Sequence, residues 1–242
     1  MSQWPEVKIL QSKGIKVMVM LGGAGQGSYS PNSLGGNETV FQAYYQPLLK
    51  FLRQYNFDGI DLDIEEFVEM EVPLRLLKSL RRDMGPSFIL TMAPVAIALE
   101  FNDAINLSGI NYFDLDSNAT DATGKPLVEW YNAQFYSAFG DAGTPDTYQW
   151  IMKKGWKPER VVLGVLTNSN DGFGFVETKH VVETVRSLRK EFPGFGGVYG
   201  WDYFDAGMSE VDGGTEPWQW VKIIKEALYG LLSRRGLIRS YR

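Results

Sequence analysis

Three acidic residues alternate with apolar residues in the segment 57–65, which reads FDGIDLDIE. If this segment is a β-strand, Asp61, Asp63 and Glu65 share one face, with neighbouring acids roughly 6.5–7 Å apart. With all three ionised in an effective dielectric of about 20, each neighbouring pair would cost on the order of 2.5 kcal/mol. Carboxyl groups packed in this way share protons, so one of them can have a raised pKa and act as a general acid.

The alternative is an amphipathic edge strand whose acidic face is in water, where the same repulsion falls to about 0.6 kcal/mol. The surrounding sequence argues against it, because the other predicted strands are apolar on both faces, as in VVLGVL at 161–166. A strand with a solvated face rarely lies midway along such a series.

The composition excludes several classes of chemistry. The chain has no cysteine and a single histidine, His180, which we expect at the surface. These counts exclude a disulfide scaffold, a thiol nucleophile and a thiolate zinc site, so we expect no metal and no cofactor. A net charge of −5 without a basic run makes nucleic acid an improbable partner. Seven Trp, twelve Tyr and fourteen Phe beside many carboxylates are typical of carbohydrate chemistry.

No segment is apolar enough to span a bilayer, and no secretory signal is recognisable at the N-terminus, so the compartment stays open. GGAGQG at 22–27 follows a predicted strand, but it fits G-x-G-x-x-G in no register. A dinucleotide-binding oxidoreductase is therefore disfavoured.

Strands and helices alternate along the chain, which predicts a parallel sheet in one α/β domain of residues 1–230, followed by a tail of residues 231–242. Six strands fit an open doubly wound sheet or a (β/α)8 barrel that lacks two strands. The strands are predicted at 15–21, 57–65, 88–93, 130–136, 160–167 and 197–203. The helices are predicted at 5–13, 40–55, 74–84, 146–154, 179–191 and 217–229.

The acidic segment, Asp58-x-x-Asp61-x-Asp63-x-Glu65, resembles the DxxDxDxE signature of glycoside hydrolase family 18, which contains chitinases and endo-β-N-acetylglucosaminidases. The resemblance covers residues 6–229 and is greatest to the compact fungal branch. Four further segments follow in the family's order: GG at 22–23, TMAP at 91–94, AQFY at 133–136 and GVYGWDYFD at 197–205. Two positions depart from the family's pattern, since Met20 occupies a serine position and Ser137 stands where many plant-type chitinases have asparagine.

The resemblance implies a (β/α)8 TIM barrel. In the family the Gly-Gly strand is the third of the barrel and the tryptophan strand is the eighth, so this chain is expected to lack the first two strands. Removing two strands from a parallel barrel exposes two sheet edges. We therefore expect residues 1–242 alone to be aggregation-prone or weakly stable.

The resemblance also implies a retaining, substrate-assisted hydrolysis in which the substrate's acetamido group is the nucleophile. Glu65 would protonate the glycosidic oxygen, Asp63 would accept the acetamido N–H, and Asp61 would share a proton with Asp63. Tyr136 would hold the acetamido group and Trp201 would stack beneath the sugar. The other assigned positions are Gln134, Met92 and Gly23 in substrate binding and Asp58 in support.

The implied partner is a GlcNAc-containing oligosaccharide cleaved at a GlcNAc-β-1,4-GlcNAc bond. The 134–136 and 200–205 segments favour an endo-β-N-acetylglucosaminidase acting on the N-glycan chitobiose core, and a chitinase is the alternative. A second alternative is an inactive chitinase-like sugar-binding protein. Such proteins commonly lack the acid, so the presence of Glu65 favours an enzyme.

Overall fold

The computed structural model describes residues 4–101, 106–209 and 211–230, so the predicted tail 231–242 lies outside the described residues. The chain divides into two compact units, Met1–Tyr131 and Asn132–Arg242. The first contains α1 (Trp4–Ser12), β1 (Met18–Gly22), α2 (Glu38–Tyr55), β2 (Gly59–Asp63), α3 (Glu71–Met84), β3 (Ile89–Met92), α4 (Ile97–Glu100), α5 (Tyr112–Asn118) and the start of β4 (Trp130–Gln134). The second contains the end of β4, α6 (Asp146–Lys153), a 3-10 turn (Pro158–Arg160), β5 (Val161–Leu166), α7 (Thr178–Glu191), β6 (Val198–Trp201) and α8 (Pro217–Tyr229).

In the first unit the strands lie in the order β1-β2-β3-β4, and every pair is parallel. Asp61 is in register with Met20 on one side and with Thr91 on the other. Because parallel strands end at the same edge of a sheet, the residues that follow β1, β2 and β3 come together at one edge. The central strands β2 and β3 are almost entirely buried, as expected for strands covered on both faces.

Helix α2 shows how the sequence fixes the covering layer. The Asn37 side chain accepts the backbone N–H of Val40 and caps the helix. The helix continues through Pro47 to Tyr55, and the next residue, Asn56, adopts the left-handed conformation with φ 53°. Its apolar face is buried in the first unit and contains Phe41, Tyr45, Leu49 and Leu52.

In the second unit the end of β4, β5 and β6 follow in order. The Phe135 N–H donates to the Gly164 carbonyl at 3.0 Å, and β5 pairs in parallel with β6. All six residues of β5 are buried, whereas the last residue of β6, Trp201, is exposed. The carboxyl ends of these strands therefore again meet at one edge.

The predicted elements are all present, with different ends in several places. The prediction of a strand through Glu65 is wrong, because β2 ends at Asp63, where its neighbours β1 and β3 also end. The prediction of a strand through Tyr203 is wrong for the same reason, since β6 ends at Trp201 beside the end of β5. Helices α4 and α5 were not predicted; they have four and seven residues, too short to give a helical period.

Candidate active site

The acid row, which we define as Asp61, Asp63 and Glu65, lies at the carboxyl end of β2. Asp63 is the last residue of the strand and is buried, with 5% of its surface exposed. The Gly23 N–H donates to the Asp63 carbonyl at 2.9 Å, and the Ala93 N–H donates to the Leu62 carbonyl at 3.0 Å. The hydrogen bonding between the strands ends at these two bonds. Glu65 therefore lies two residues beyond the strand and is partly exposed. The row therefore passes from a strand into a loop between its second and third acids.

Asp61 is held by its neighbour in the sheet. The Thr91 hydroxyl, which is fully buried, donates to the Asp61 carboxylate at 2.5 Å. Asp61 and Thr91 are also paired in the register of β2 and β3, so their side chains lie on the same face. The carboxylate consequently has a fixed orientation at the acid face.

The glycine pair after β1 packs directly against Asp63. Gly22 has a φ of 105°, and a Cβ at this position would lie 1.9 Å from the Asp63 carbonyl oxygen. Gly23 has a φ of 92°, and a Cβ there would lie 3.7 Å from an Asp63 carboxylate oxygen. The close approach requires glycine at position 22, and the positive φ favours glycine at both positions. The predicted site residue Gly23 therefore contacts the acid row.

Two buried tyrosines that the sequence analysis did not identify lie near the acids. Burial raises the pKa of Tyr29, and the negative charges of Asp63 and Asp61 raise it further. Burial likewise raises the pKa of Tyr112; a hydrogen bond with Ser108 lowers it, and the negative charges of Asp63 and Asp61 raise it. Both phenols are therefore neutral around pH 7. No local pattern marks these tyrosines, because the acids that act on them are distant in the sequence.

Glu66 has a structural task, although it directly follows Glu65. Its carboxylate accepts the backbone N–H of Gly27 at 3.1 Å and that of Tyr29 at 2.7 Å. The Tyr29 hydroxyl in turn donates to the Leu21 carbonyl at 2.6 Å. These bonds connect the loop after β1 to the segment that carries Glu65.

Asp58 lies at the opposite end of β2, about 16 Å along the strand from Asp63. Its carboxylate accepts hydrogen bonds from the Val17 N–H, the Gln11 amide and the Lys16 ammonium, each at 2.9 Å. Burial alone would raise the pKa of Asp58, but these bonds outweigh it and lower the pKa below its ordinary value. Asp58 thus connects the α1–β1 loop to β2 and is remote from the acid row.

Met92 does not belong to the acid face. The register pairs it with Leu62, one residue after the pair formed by Asp61 and Thr91. Successive side chains of a strand alternate between faces, so Met92 lies on the side opposite Asp61. Met92 is also fully buried. We therefore remove it from the candidate site, where the sequence analysis had placed it.

In the second unit, two of the predicted binding residues lie at the end of β4. Gln134 is the last residue of the strand and is buried. Tyr136 lies two residues later and is half-buried. The Tyr136 hydroxyl lies 3.4 Å from that of Tyr199 on β6. A Cβ on Gly164 would lie 2.2 Å from the Tyr199 ring, so this ring crosses β5 where it has no side chain. The sequence analysis did not identify Tyr199.

Trp201 is 41% exposed at the carboxyl end of β6, so it is not a core residue. The Thr167 N–H donates to the Trp201 carbonyl at 2.9 Å, and the Thr167 hydroxyl donates to the Asp202 carbonyl at 2.5 Å. The peptide bond between Trp201 and Asp202 is cis. The exposed indole is thus carried on a backbone that β5 holds in place.

His180 has the expected surface position, with a half-exposed side chain 3.3 Å from Glu183. Within the residues that the structure describes, no group of three or more His, Cys, Asp or Glu side chains could hold a metal ion. No helix in those residues has the length and apolar character needed to cross a membrane.

The model of the family described as Glycosyl hydrolases family 18 matches residues 1–180. The chain belongs to this family. Among the solved structures, a fungal endo-β-N-acetylglucosaminidase of family 18 is 37% identical, with a TM-score of 0.85 over 95% of this chain and 77% of that chain. The chitinase ChiC from Aspergillus fumigatus is 42% identical, with a TM-score of 0.79 over 93% of this chain and 77% of that chain.

Curated family 18 relatives are more distant. The endochitinase Ziz m 1.0101 of Ziziphus mauritiana is 26% identical in an alignment 233 residues long, which covers 83% of this chain and 64% of that protein. Chitinase 2 of Rhizopus oligosporus is 28% identical in an alignment 216 residues long, which covers 81% of this chain and 35% of that protein. The chain therefore spans less than two thirds of the length of these curated relatives. The family match and the structural likenesses confirm the predicted family and its α/β barrel fold class.

Proposed function

We propose that this chain is a retaining, substrate-assisted glycosidase that cleaves the GlcNAc-β-1,4-GlcNAc bond. The observation that supports this most is the acid row of a family 18 member at the carboxyl end of a buried parallel strand. There Asp63 is buried, Asp61 is held by Thr91, and Glu65 lies in the more exposed loop. A proton donor needs access to substrate, and a charge-stabilising group gains strength from burial, so the three positions suit different tasks.

In the proposed reaction Glu65 gives its proton to the glycosidic oxygen as the bond to the anomeric carbon breaks. The acetamido carbonyl oxygen of the same sugar attacks that carbon from the opposite face and forms an oxazolinium ion. Asp63 accepts the acetamido N–H and stabilises the positive charge, with Asp61 as its proton-sharing neighbour. Glu65 then removes a proton from the water that opens the ring. Two inversions at the anomeric carbon retain its configuration.

The second unit supplies substrate-binding residues in this proposal. Trp201 stacks on the sugar ring, for which its exposed indole at the end of β6 is suited. Tyr136 holds the acetamido group, and its contact with the Tyr199 hydroxyl orients the phenol. Gln134 and Gly23 complete the proposed set.

We propose the chitobiose core of N-glycans as the substrate. The 134–136 and 200–205 segments support it, as does the TM-score of 0.85 with the fungal endo-β-N-acetylglucosaminidase. Chitin is the second candidate, because the identity of 42% to the Aspergillus chitinase is higher than the 37% to the endo-β-N-acetylglucosaminidase.

Incubation of the chain with a high-mannose glycopeptide and, separately, with chitin hexamer tests both candidates by mass spectrometry. We expect the glycopeptide to lose its glycan and keep one GlcNAc. Cleavage of the chitin hexamer alone would overturn the N-glycan assignment and support the chitinase. If NMR shows an α-anomer as the first product, the substrate-assisted mechanism is wrong for either substrate.

A further inference from the structure

An exposed phenylalanine lies in the loop after β5, which we define as residues 167–175. The Phe173 side chain is 76% exposed, although its backbone is firmly placed. Its carbonyl accepts the Ser137 N–H at 2.8 Å. At Gly174, with a φ of 90°, a Cβ would lie 2.9 Å from the Ser137 nitrogen and 3.1 Å from the Tyr136 Cα. The loop therefore packs against the chain beside Tyr136.

Hydrogen bonds within this loop limit its freedom. The Asp171 carboxylate accepts the Asn168 N–H at 2.9 Å, and the Asn168 side-chain oxygen accepts the Asn170 N–H at 2.8 Å. The Asn168 amide also donates to the Asp205 carbonyl at 2.9 Å, which connects the loop to the segment after β6. Because the backbone of the loop is already ordered, an aromatic ring on it loses little further conformational entropy when a ligand binds, which favours binding.

Phe173 falls in a series with two residues of the proposed site. Tyr136 follows β4, Phe173 follows β5 and Trp201 ends β6, all within the second unit. Neighbouring strands are about 4.8 Å apart, so the ends of three consecutive strands span roughly 10 Å. A ligand that covers these strand ends extends over more than one sugar ring. Phe173 lies seven residues beyond the end of β5, and the bond from the Ser137 N–H to its carbonyl places it beside the end of β4.

We propose that Phe173 forms an additional sugar-binding position, at which the C–H face of a second pyranose of a GlcNAc-containing oligosaccharide packs on its ring. This inference rests on the proposed function, because Tyr136 and Trp201 define where the first sugar lies. The carboxylates of Asp171 and Asp205 in the same region favour a neutral sugar over an anionic ligand. Phe173 is thus a specificity-determining residue for longer substrates.

The test compares Phe173→Ala, Phe173→Leu and Phe173→Trp with Trp150→Ala, a control that removes a half-exposed aromatic side chain from α6. KM and kcat are measured with chitin hexamer and with a fluorogenic chitobioside. We expect Phe173→Ala and Phe173→Leu to raise KM for the hexamer about tenfold, with kcat and the short substrate almost unchanged. Phe173→Trp should keep the low KM, and Trp150→Ala should match wild type.

Calorimetric titration of chitin hexamer into the same variants separates this inference from the proposed function. If the wild-type chain binds the hexamer but cleaves neither the hexamer nor the high-mannose glycopeptide, the proposed function fails, and a tenfold weaker affinity of Phe173→Ala still supports the sugar position. If Phe173→Ala binds and cleaves the hexamer as well as Trp150→Ala does, the inference is wrong. Absence of hexamer binding to the wild-type chain would also overturn it.

Discussion

Two adjacent glutamates show how little the residue type reveals about its task. Glu65 is partly exposed beyond the end of β2, in the position proposed for the general acid. Glu66 accepts the backbone N–H groups of Gly27 and Tyr29. Hydrogen bonds from backbone amides to a charged carboxylate contribute about 1.5–3 kcal/mol each, so Glu66 stabilises the loop after β1.

Substitution of Glu65 should therefore lower activity, and substitution of Glu66 should lower stability. We expect Glu65→Gln to lower kcat at least about 100-fold, the usual contribution of a general acid, with an unchanged melting temperature. Glu66→Ala should lower the free energy of unfolding by about 1–3 kcal/mol, less than the sum of two such bonds, because the exposed Gly27 N–H can bond to water instead. Steady-state kinetics and urea unfolding of both variants make the comparison. Glu65→Gln activity within tenfold of wild type would contradict the assignment of the acid.

The turn after β1 packs directly against the end of β2. We expect Gly22→Ala to destabilise the protein strongly, since its Cβ would lie 1.9 Å from the Asp63 carbonyl oxygen. Gly14→Ala is the matched control: Gly14 also has a positive φ, 79°, but no atom lies within 4 Å of its Cβ position. The control should cost only about 1–2 kcal/mol for the left-handed backbone. Equal losses in urea unfolding would show that the contact with Asp63 is unimportant.

Most elements were predictable because their signals are local. Apolar strands between helical periods, glycines at helix ends and the alternating acids all lie within a few residues of one another. The face of Met92 was not predictable, because it depends on the register with β2. Three tyrosines were missed for a related reason. The charges of Asp61 and Asp63 act on Tyr29 and Tyr112, and Tyr136 contacts Tyr199, in each case between segments that are distant in the sequence. The sequence identifies the residues that could do the chemistry, and the pairing between strands determines which of their side chains lie on one face.

Asp58 connects two elements by a charge, so its contribution should depend on pH. Its pKa in the folded chain is below the ordinary value of 3.8, because hydrogen bonds from Val17, Lys16 and Gln11 outweigh burial. A depressed folded-state pKa stabilises the fold fully above the unfolded-state pKa and loses this stabilisation as the pH falls through the folded-state value. Asp58→Asn should therefore lower the free energy of unfolding at pH 7, and its difference from wild type should shrink as the pH falls below 3.8. A constant difference between pH 7 and pH 3, measured by urea unfolding, would contradict this explanation.

For the molecule as a whole, the exposed apolar surface of the first unit predicts its behaviour in solution. Among the described strands, β1 pairs with β2 alone, and its residues are less buried than those of β2. Ile15 before the strand is 49% exposed, and Ile9 on α1 is 55% exposed. An open strand edge beside apolar side chains is a template for association with another chain, and charged residues at such an edge suppress it.

We therefore expect residues 1–242 to form oligomers or aggregates as their concentration rises, measured by size-exclusion chromatography with light scattering. Ile9→Lys combined with Ile15→Lys should reduce this association, because a lysine in either position would have to lose its hydration on contact with a second chain. Lys8→Ile, which removes an exposed charge from the same helix, is the reverse control and should increase association. A wild-type chain that stays monomeric at high concentration and unfolds in one sharp transition would show that the β1 edge is protected and that the expected instability is wrong.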